Sequence, residues 1–540
     1  MIRFLTSVTK VALALFAAVL IASGTAKADA SLPDPHVWTG GSNPPLNQMS
    51  VFWAESTLDS SPVSYSPFDE RTSVEANRIV GAGFDTVLGP CSDTLQIGCI
   101  SAMKFSLDDG TTWSDAKRLT SPGQRDFAFN TISPTGKQDT VYTSLYSADS
   151  RTGLLESSLP NFWNLPGATN ALGEEYMINV VARSALQDGK AKLTELNFSA
   201  NAGKQYPVSA PCKYLTVQTQ RTGGFHGYCF EPVNLPSNLR LRVSVNLGDR
   251  IDELSGWFDG RLEKPVIDFG STQRGVVTVE GLPIEVNYVQ TRDIAKGESL
   301  YTVTPSVEAL QVNSGTHWVQ TSRTGLDDFL KYSAAIPQTA SARNTVWRMS
   351  SWNANGIDSD CSSSPGVKGV VISNATTYDA VPPRFDPKSG GLDFRVASAH
   401  RNPDGTLASG VYRLYLQQKL AKCLWGEETS GSASVSVVDE DGVQEVAYSS
   451  MGVSNGWLHF EASGFHYSAP KISVKMIKSA PVASPSPSPS ASPSPTTSPS
   501  VSPAPNPTPK KTTISCVKGK TTKKVTAVSP KCPAGYKKKA

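Results

Sequence analysis

The pentapeptide Gly452-Val453-Ser454-Asn455-Gly456 matches G-x-S-x-G, a spacing that can present a serine hydroxyl on a sharp turn for attack on a carbonyl, with His459 and His466 downstream as candidate bases. That chemistry needs a strand before the serine and a helix after it. The next residues, Trp457-Leu458-His459-Phe460, form a strand-like run, so the motif reads as a turn between strands. Ser101-Ala102-Met103-Lys104 spells S-x-x-K, but inside a strand pattern rather than at a helix start. Two groups of acids, Asp259, Glu263 and Asp268 and then Asp439, Glu440 and Asp441, lie close along the chain. Glycoside hydrolysis needs carboxylates about 5–10 Å apart across a cleft, which neighbours in a turn seldom supply. Both groups read as solvated turns. No C-x-x-C occurs, and of the histidines only His226 is close to a cysteine, Cys229, so no metal site is expected. No catalytic residue and no cofactor is assigned.

The sharpest motif is Ser106-Leu107-Asp108-Asp109-Gly110-Thr111-Thr112-Trp113, which fits S-x-D-x-G-x-T-W. It resembles the Asp-box of sialidases and other β-propellers. Its physics is local. Ser and Asp side chains satisfy backbone groups of a tight turn, Gly takes positive φ, and Trp packs beneath the hairpin. The box occurs once, and no arginine triad or Tyr/Glu pair accompanies it, so an isolated hairpin is expected.

Aromatic side chains offer another chemistry, stacking against sugar rings. Trp38, Trp53, His317-Trp318, Trp347 and Trp352 are candidates for a glycan-binding face. Core packing is the competing use of the same residues.

The elements that position these residues are strands. Leu239, Leu241, Val243, Val245 and Leu247 alternate with Arg240, Arg242, Ser244 and Asn246. Leu392, Phe394 and Val396 share the same period of two, as do Ile472, Val474 and Met476. Such strands bury one face and wet the other. Asp109-Gly110, Asp259-Gly260, Asp404-Gly405 and Asp441-Gly442 mark turns, and 435–438 with 443–447 reads as one hairpin. Leu326 to Ile336 is the best helix candidate. The fold class is all-β, with several β-sandwich-like domains at about 31–173, 174–343 and 344–478.

Cysteines and charge place the chain. The eight are Cys91, Cys99, Cys212, Cys229, Cys361, Cys423, Cys516 and Cys532. An even number behind a signal segment favours disulfides, and proximity suggests the pairs 91–99, 212–229, 361–423 and 516–532. The signal is 1–28: Arg3 and Lys10, an apolar run from Val11 to Ser23 too short to span a bilayer, then Ala26-Lys27-Ala28 and Ala28-Asp29-Ala30 as cleavage sites. An uncleaved anchor is the alternative. No later transmembrane segment is expected.

The net charge of +3 conceals a segregation. The first 28 residues hold three basic residues and no acid, and 479–540 hold ten Lys and no acid, leaving 37 basic against 47 acidic residues between. An acidic body excludes a basic nucleic-acid-binding domain. Of residues 479–509, eleven are Pro and most others Ser, Ala or Thr, so this segment reads as a disordered Pro/Ser-rich linker of polyproline II character. At about 3.1 Å per residue it reaches on the order of 95 Å. The tail, 510–540, carries Lys518, Lys520, Lys523, Lys524, Lys537, Lys538 and Lys539 around Cys516 and Cys532, and reads as a disulfide-stapled hairpin.

The run Cys516-Val517-Lys518-Gly519-Lys520, then Pro530-Lys531-Cys532-Pro533 and Gly535-Tyr536-Lys537-Lys538, resembles a short C-terminal element of secreted actinobacterial proteins. Ser255 to Leu262 with Ile267 to Gly270, and Ala421 to Gly426 with Gly456-Trp457, Ala462, Gly464-Phe465, Pro470 and Val474, resemble segments of uncharacterised secreted actinobacterial surface proteins. The resemblance implies a secreted protein, extracellular or cell-wall associated, whose tail contacts anionic cell-envelope polymers. The charges agree, since compact ammonium groups attract phosphate-bearing polymers and are screened by salt. The expectation is therefore a non-catalytic surface β protein displayed on a spacer, with glycans as a possible partner of the body. A carbohydrate-active enzyme or lectin-like binder is the first alternative, and a structural or adhesive surface-layer component the second.

Overall fold

The structure is a computed structural model and describes residues 48–53, 83–120, 129–132, 138–142, 148, 150, 152–206, 215–218, 225–302, 310–313, 316–319, 323–352, 361, 366–379, 382–426, 432–438, 444–445, 448–467, 471–477, 512–518, 521–527 and 537–538. The chain forms two compact units, 1–479 and 480–540. The signal segment 1–28, the linker 479–509, Trp38, Asp439, Glu440 and Asp441 lie outside the described residues.

The first unit is all-β. Its spine is one long sheet in which Gly83–Val87, Glu175–Gln187, Lys190–Tyr206, Ala342–Trp352 and Gly256–Arg261 succeed one another as antiparallel neighbours. Val367–Ser373 joins in parallel, and Ser409–Gln417, Trp457–His466 and Tyr448–Ser454 complete the path antiparallel. Strands of 31–173, 174–343 and 344–478 thus share this sheet. Its 13- and 17-residue members, Glu175–Gln187 and Lys190–Tyr206, are joined by Asp188-Gly189, both at positive φ (51° and 73°), the two-residue hairpin turn whose twist suits paired strands.

Two smaller sheets cover opposite faces of the spine. Along Gly256–Arg261, Phe258 faces one hydrophobic core and Trp257 the other; Val370 and Ile372 against Val371 repeat the division on Val367–Ser373. The first core is closed by a five-stranded sheet ordered Glu263–Phe269, Val276–Leu282, Arg240–Asn246, Cys99–Ser106, Ser114–Asp115. Its inward residues include the expected Leu241, Val243 and Val245, all fully buried. Each such side chain contributes about 1.5–3 kcal/mol of burial. The second core is closed by a six-stranded sheet carrying Leu392, Phe394, Val396, Ile472 and Val474. These are sandwiches in the sense the alternation predicts.

The helix expected at Leu326 is Arg323–Lys331, extended by a 3-10 turn at Ser333–Ala335. It docks on Trp53, whose Nε1 donates to the Gly325 carbonyl at 2.9 Å. A second helix, Gln418–Trp425, has no counterpart among the elements the sequence pattern predicts. Cys423 on it bonds Cys361, and Cys91 bonds Cys99, as expected. The pairs 212–229 and 516–532 each have a member, Cys212 and Cys532, outside the described residues.

In the second unit Thr512–Lys518 pairs with Thr521–Ala527 and with Lys537–Lys538, placing Cys516 opposite both Lys523 and Lys538 in register. Ser515 stands opposite Lys524, Val517 opposite Lys537, and Lys518 opposite Thr521. Lys520 and Lys539 lie outside the described residues.

Candidate functional site

The outward face of the five-stranded sheet carries the alternates of its core residues. Arg240, Arg242, Ser244 and Asn246 succeed one another along one strand, opposite Glu280, Thr278 and Val276 on its neighbour. Above them lies an open groove of about 760 Å³, walled by Cys91, Asp93 and Thr94 on one side and by Val266, Asp268, Thr272 and Gln273 on the other.

Two internally braced loops stand beside this face. One is the 91–99 disulfide loop, which walls the groove. Asp93 Oδ1 accepts from the backbone N–H groups of Leu95 and Gln96 at 2.8 and 2.9 Å, and Asn246 Nδ2 donates to the Gln96 carbonyl at 2.7 Å. The loop is thereby tied to the floor strand, while Leu95 and Ile97 stay exposed.

The other is the Asp-box hairpin, which meets the floor strand through Arg240 and Arg242. Ser106 Oγ donates to Asp108 Oδ1 at 2.6 Å and accepts from Gly110 N–H at 2.9 Å; Thr112 N–H donates to the same Asp108 oxygen at 2.8 Å. The Ser106 hydroxyl, then Thr112, hold the Asp108 carboxyl down at about 2. Asp109 and Gly110 both take positive φ, 57° and 91°. Asp108 thus closes the turn, as the motif predicts.

Asp109 does something the motif does not forecast. It binds Arg240 at 3.1 Å and Lys264 at 2.5 Å, bolting the hairpin to two other strands. Arg240 is buried and fully engaged, with Glu280 at 2.6 Å and the Lys264 carbonyl at 2.9 Å as further acceptors. Arg242 also reaches Glu280, at 2.6 Å, and its guanidinium lies 3.9 Å above the Trp113 ring. Such stacking on Trp is worth about 0.5–2 kcal/mol and holds both groups in place. Ser244 and Thr278 hydroxyls meet at 2.9 Å on the floor.

The acids here are committed to structure. Burial raises the Asp268 carboxyl, but hydrogen bonds from Ser271 and Thr272 outweigh it and leave the group below its usual range. Its oxygens accept from Ser271 N–H at 2.7 Å and Thr272 N–H at 2.9 Å. A glycosidase's general acid needs the opposite shift, upward. Glu280 is shared by two arginines. The groove is a polar surface lined by the hydroxyls of Ser244, Thr272 and Thr278, the Gln273 amide and the Arg242–Glu280 pair.

Elsewhere the expectations divide. Asp259-Gly260 is not a turn. It lies within the strand Gly256–Arg261, and Asp259, 3% exposed, accepts from Tyr378 Oη and from Arg348 Nη2 at 2.8 Å. Asp and Gly continue the strand because the pairing with Ala342–Trp352 brings Arg348 within reach. Glu263 is also removed from a solvated turn, bound by Arg413 at 2.6 Å. Trp53 and Trp347 are both 1% exposed, so they serve the core and offer no sugar platform. The backbones of Trp318 and Trp352 lie in strands. Lys104 of the S-x-x-K run lies in a strand and pairs with Asp115 at 2.8 Å.

Ser454 sits where the G-x-S-x-G reading places it, before a hairpin turn at Asn455-Gly456 (φ 50° and 81°) with a strand after it. Its Oγ is 3.1 Å from His459 Nε2, and burial pushes the imidazole down. Among the described residues no carboxylate hydrogen-bonds His459. His466 is exposed at the far end of the same strand. The pair borders a second cavity of about 160 Å³ floored by Phe269, Tyr415 and Trp457.

Arg242, Ser244, Thr278 and Glu280 are groove residues that sequence reasoning does not assemble, and Trp113 braces Arg242 from the neighbouring hairpin. The alternation around Leu241 does mark Arg242 and Ser244 as the wet face; the partner strand and the Trp113 contact have no local signal. Among the described residues no group of three or more His, Cys, Asp or Glu could hold a metal ion, and no helix is long and apolar enough to cross a membrane. Comparison with family models, curated proteins and solved structures finds no match.

Proposed function

We propose that this is an exported, cell-surface-associated, non-catalytic β protein whose body binds a hydroxyl-rich ligand, a glycan, in the groove of the five-stranded sheet. The 479–509 segment acts as a spacer, and the Lys-rich 510–540 tail contacts anionic envelope polymers. One observation carries the binding reading: Arg242 and Glu280 pair on the groove floor, Asp93 and Asp268 are held by backbone N–H groups of their own loops, and Ser244, Thr278, Thr272 and Gln273 line the groove to meet a ligand. Uncharged hydroxyl-bearing rings suit such a surface. Their hydrogen bonds replace those of water, and their hydroxyls can donate to the carboxylates that line the groove.

The test is a glycan array combined with hydrolysis screening of the purified chain lacking its first 28 residues. Retention on one or more glycans without product release is expected. Turnover of a bound glycan would establish the enzyme alternative, and silence in both assays would end the carbohydrate reading. For the tail, deletion of 510–540 is expected to release the protein from cell envelopes at low salt. Identical fractionation of full-length and truncated chains at low and high salt would sink the tethering idea.

A further inference from the structure

We propose that the groove does not end at its wall but continues over the edge strand Glu263–Phe269 into the aromatic cavity beside Ser454 and His459, forming one path for a linear glycan of several rings. This rests on the glycan reading above and extends it from a patch to a polymer track.

The strand geometry makes the path. Glu263–Phe269 is the last strand of the five-stranded sheet, with no further strand of that sheet beyond it among the described residues. Its alternate residues serve different cavities: Val266 and Asp268 line the groove, while Ile267 and Phe269 line the smaller cavity. Val266 lines both and is 54% exposed, so the ridge between the cavities is a single aliphatic side chain. An exposed valine on a polar sheet face is a poor water neighbour and a good contact for the C–H face of a sugar.

Beyond the ridge the chemistry changes. The Phe269 and Trp457 rings lie with centroids 5.6 Å apart, and the Tyr415 and His459 rings 4.6 Å apart. These rings form an aromatic floor of the kind on which the C–H face of a pyranose stacks. The Ser454 hydroxyl and the His459 imidazole, 3.1 Å apart, stand at the rim as a joined donor–acceptor pair. At about 160 Å³ the cavity has room for part of one ring, against about 760 Å³ for several in the groove. The smaller cavity is therefore a subsite for one ring of a chain whose remainder lies across the sheet. It also gives the Ser454–His459 pair a binding role that needs no acid to orient the imidazole.

The experiment measures affinity against chain length. The probes are gluco-, manno- and N-acetylglucosamine oligosaccharides, from monomer to hexamer, on the chain lacking residues 1–28. Affinity for the preferred series is expected to rise with length, with roughly a tenfold gain when the smaller cavity is reached. Val266→Arg, at an exposed position, should remove that gain by blocking the ridge, and Trp457→Ala should remove it by taking away the floor. Leu407→Arg, a comparably exposed site (56%) outside both cavities, should keep it. Glycan binding with the same length dependence in Val266→Arg and Leu407→Arg would overturn the track and leave the groove reading intact. No binding of any oligosaccharide by any variant would overturn both.

Discussion

Two regions of the body use the same chemistry, a carboxylate held by two donors, to different ends. At the groove, Glu280 is shared by Arg240 and Arg242, and Arg242 remains 35% exposed at its side chain. In the spine, Asp259 is shared by Arg348 and Tyr378, and its own side chain is only 5% exposed. In the first cluster Arg240 and Glu280 are buried, and Arg242 alone reaches solvent, with a Trp laid beneath its guanidinium. The second is enclosed where Gly256–Arg261 pairs with Ala342–Trp352, and the buried Arg261 lies 4.5 Å over the Tyr378 ring. The difference teaches that location, more than composition, separates a binding surface from a structural joint. A charge pair sealed between strands fixes their pairing; one at a sheet's open face prepares a surface of fixed shape and little free charge.

The comparison breaks most visibly at Asp259. Asp259→Ala leaves Arg348 and the Tyr378 hydroxyl without their shared acceptor inside the fold. Removing one partner of a buried pair costs about 3–5 kcal/mol, a large part of a domain's stability. Urea unfolding is expected to show that loss, with Asp259→Asn losing less because it keeps an acceptor. An unchanged midpoint for Asp259→Ala would mean the cluster is incidental. At the groove the outcome is reversed. Arg242→Ala leaves Glu280 still held by Arg240, so stability should fall by only about 0–1 kcal/mol. Glycan retention, on the proposed reading, should fall far more, because Arg242 lines the groove floor and its guanidinium is lost as a donor to the ligand. Calorimetry and the glycan array on the same variant separate the two effects.

How much of this is legible in the sequence depends on the range of each signal. Period-two alternation is local, so the strands around Leu241, Leu392 and Ile472 and their buried faces can be read directly. The Asp-box turn is legible for the same reason, since Ser106, Asp108 and Gly110 satisfy one another within five residues. Pairing between distant strands leaves no local trace. Nothing near Lys190–Tyr206 announces that it will lie beside Ala342–Trp352, and so one spine sheet reads as three stretches. Asp259-Gly260 misleads for a related reason: the dipeptide looks like a turn until Arg348 is brought alongside. Tryptophans give the least information, because Trp347 in the core and Trp113 beneath Arg242 at the sheet's outer face carry the same residue type; only the fold decides which face is wet.

The smallest expected effect contrasts the Asp-box hairpin with the smaller cavity through their titration. Asp108 in the hairpin is held at about 2, chiefly by the Ser106 hydroxyl, against an ordinary value of 3.8. Between those values the unfolded chain binds the proton and the folded chain does not. Stability from this group is therefore complete above 3.8 and is lost as pH falls toward 2. His459, beside the smaller cavity, is also lowered, but by burial that disfavours its charged form, from an ordinary 6.5. Again the unfolded state takes the proton first, so stability holds above 6.5 and declines as pH falls below it. One mechanism stabilises a charge and the other excludes one, yet both slopes have the same sign. Unfolding free energy measured from neutral pH downward should therefore show two separate declines. His459→Gln should flatten the upper one alone; Asp108→Asn should reduce the lower one alone without removing it, because Glu298, Asp109, Asp268, Asp386 and Asp404 are lowered as well. A wild-type profile flat just below 6.5 would mean that His459 is solvated, and the aromatic cavity would then lack the enclosed rim assigned to it.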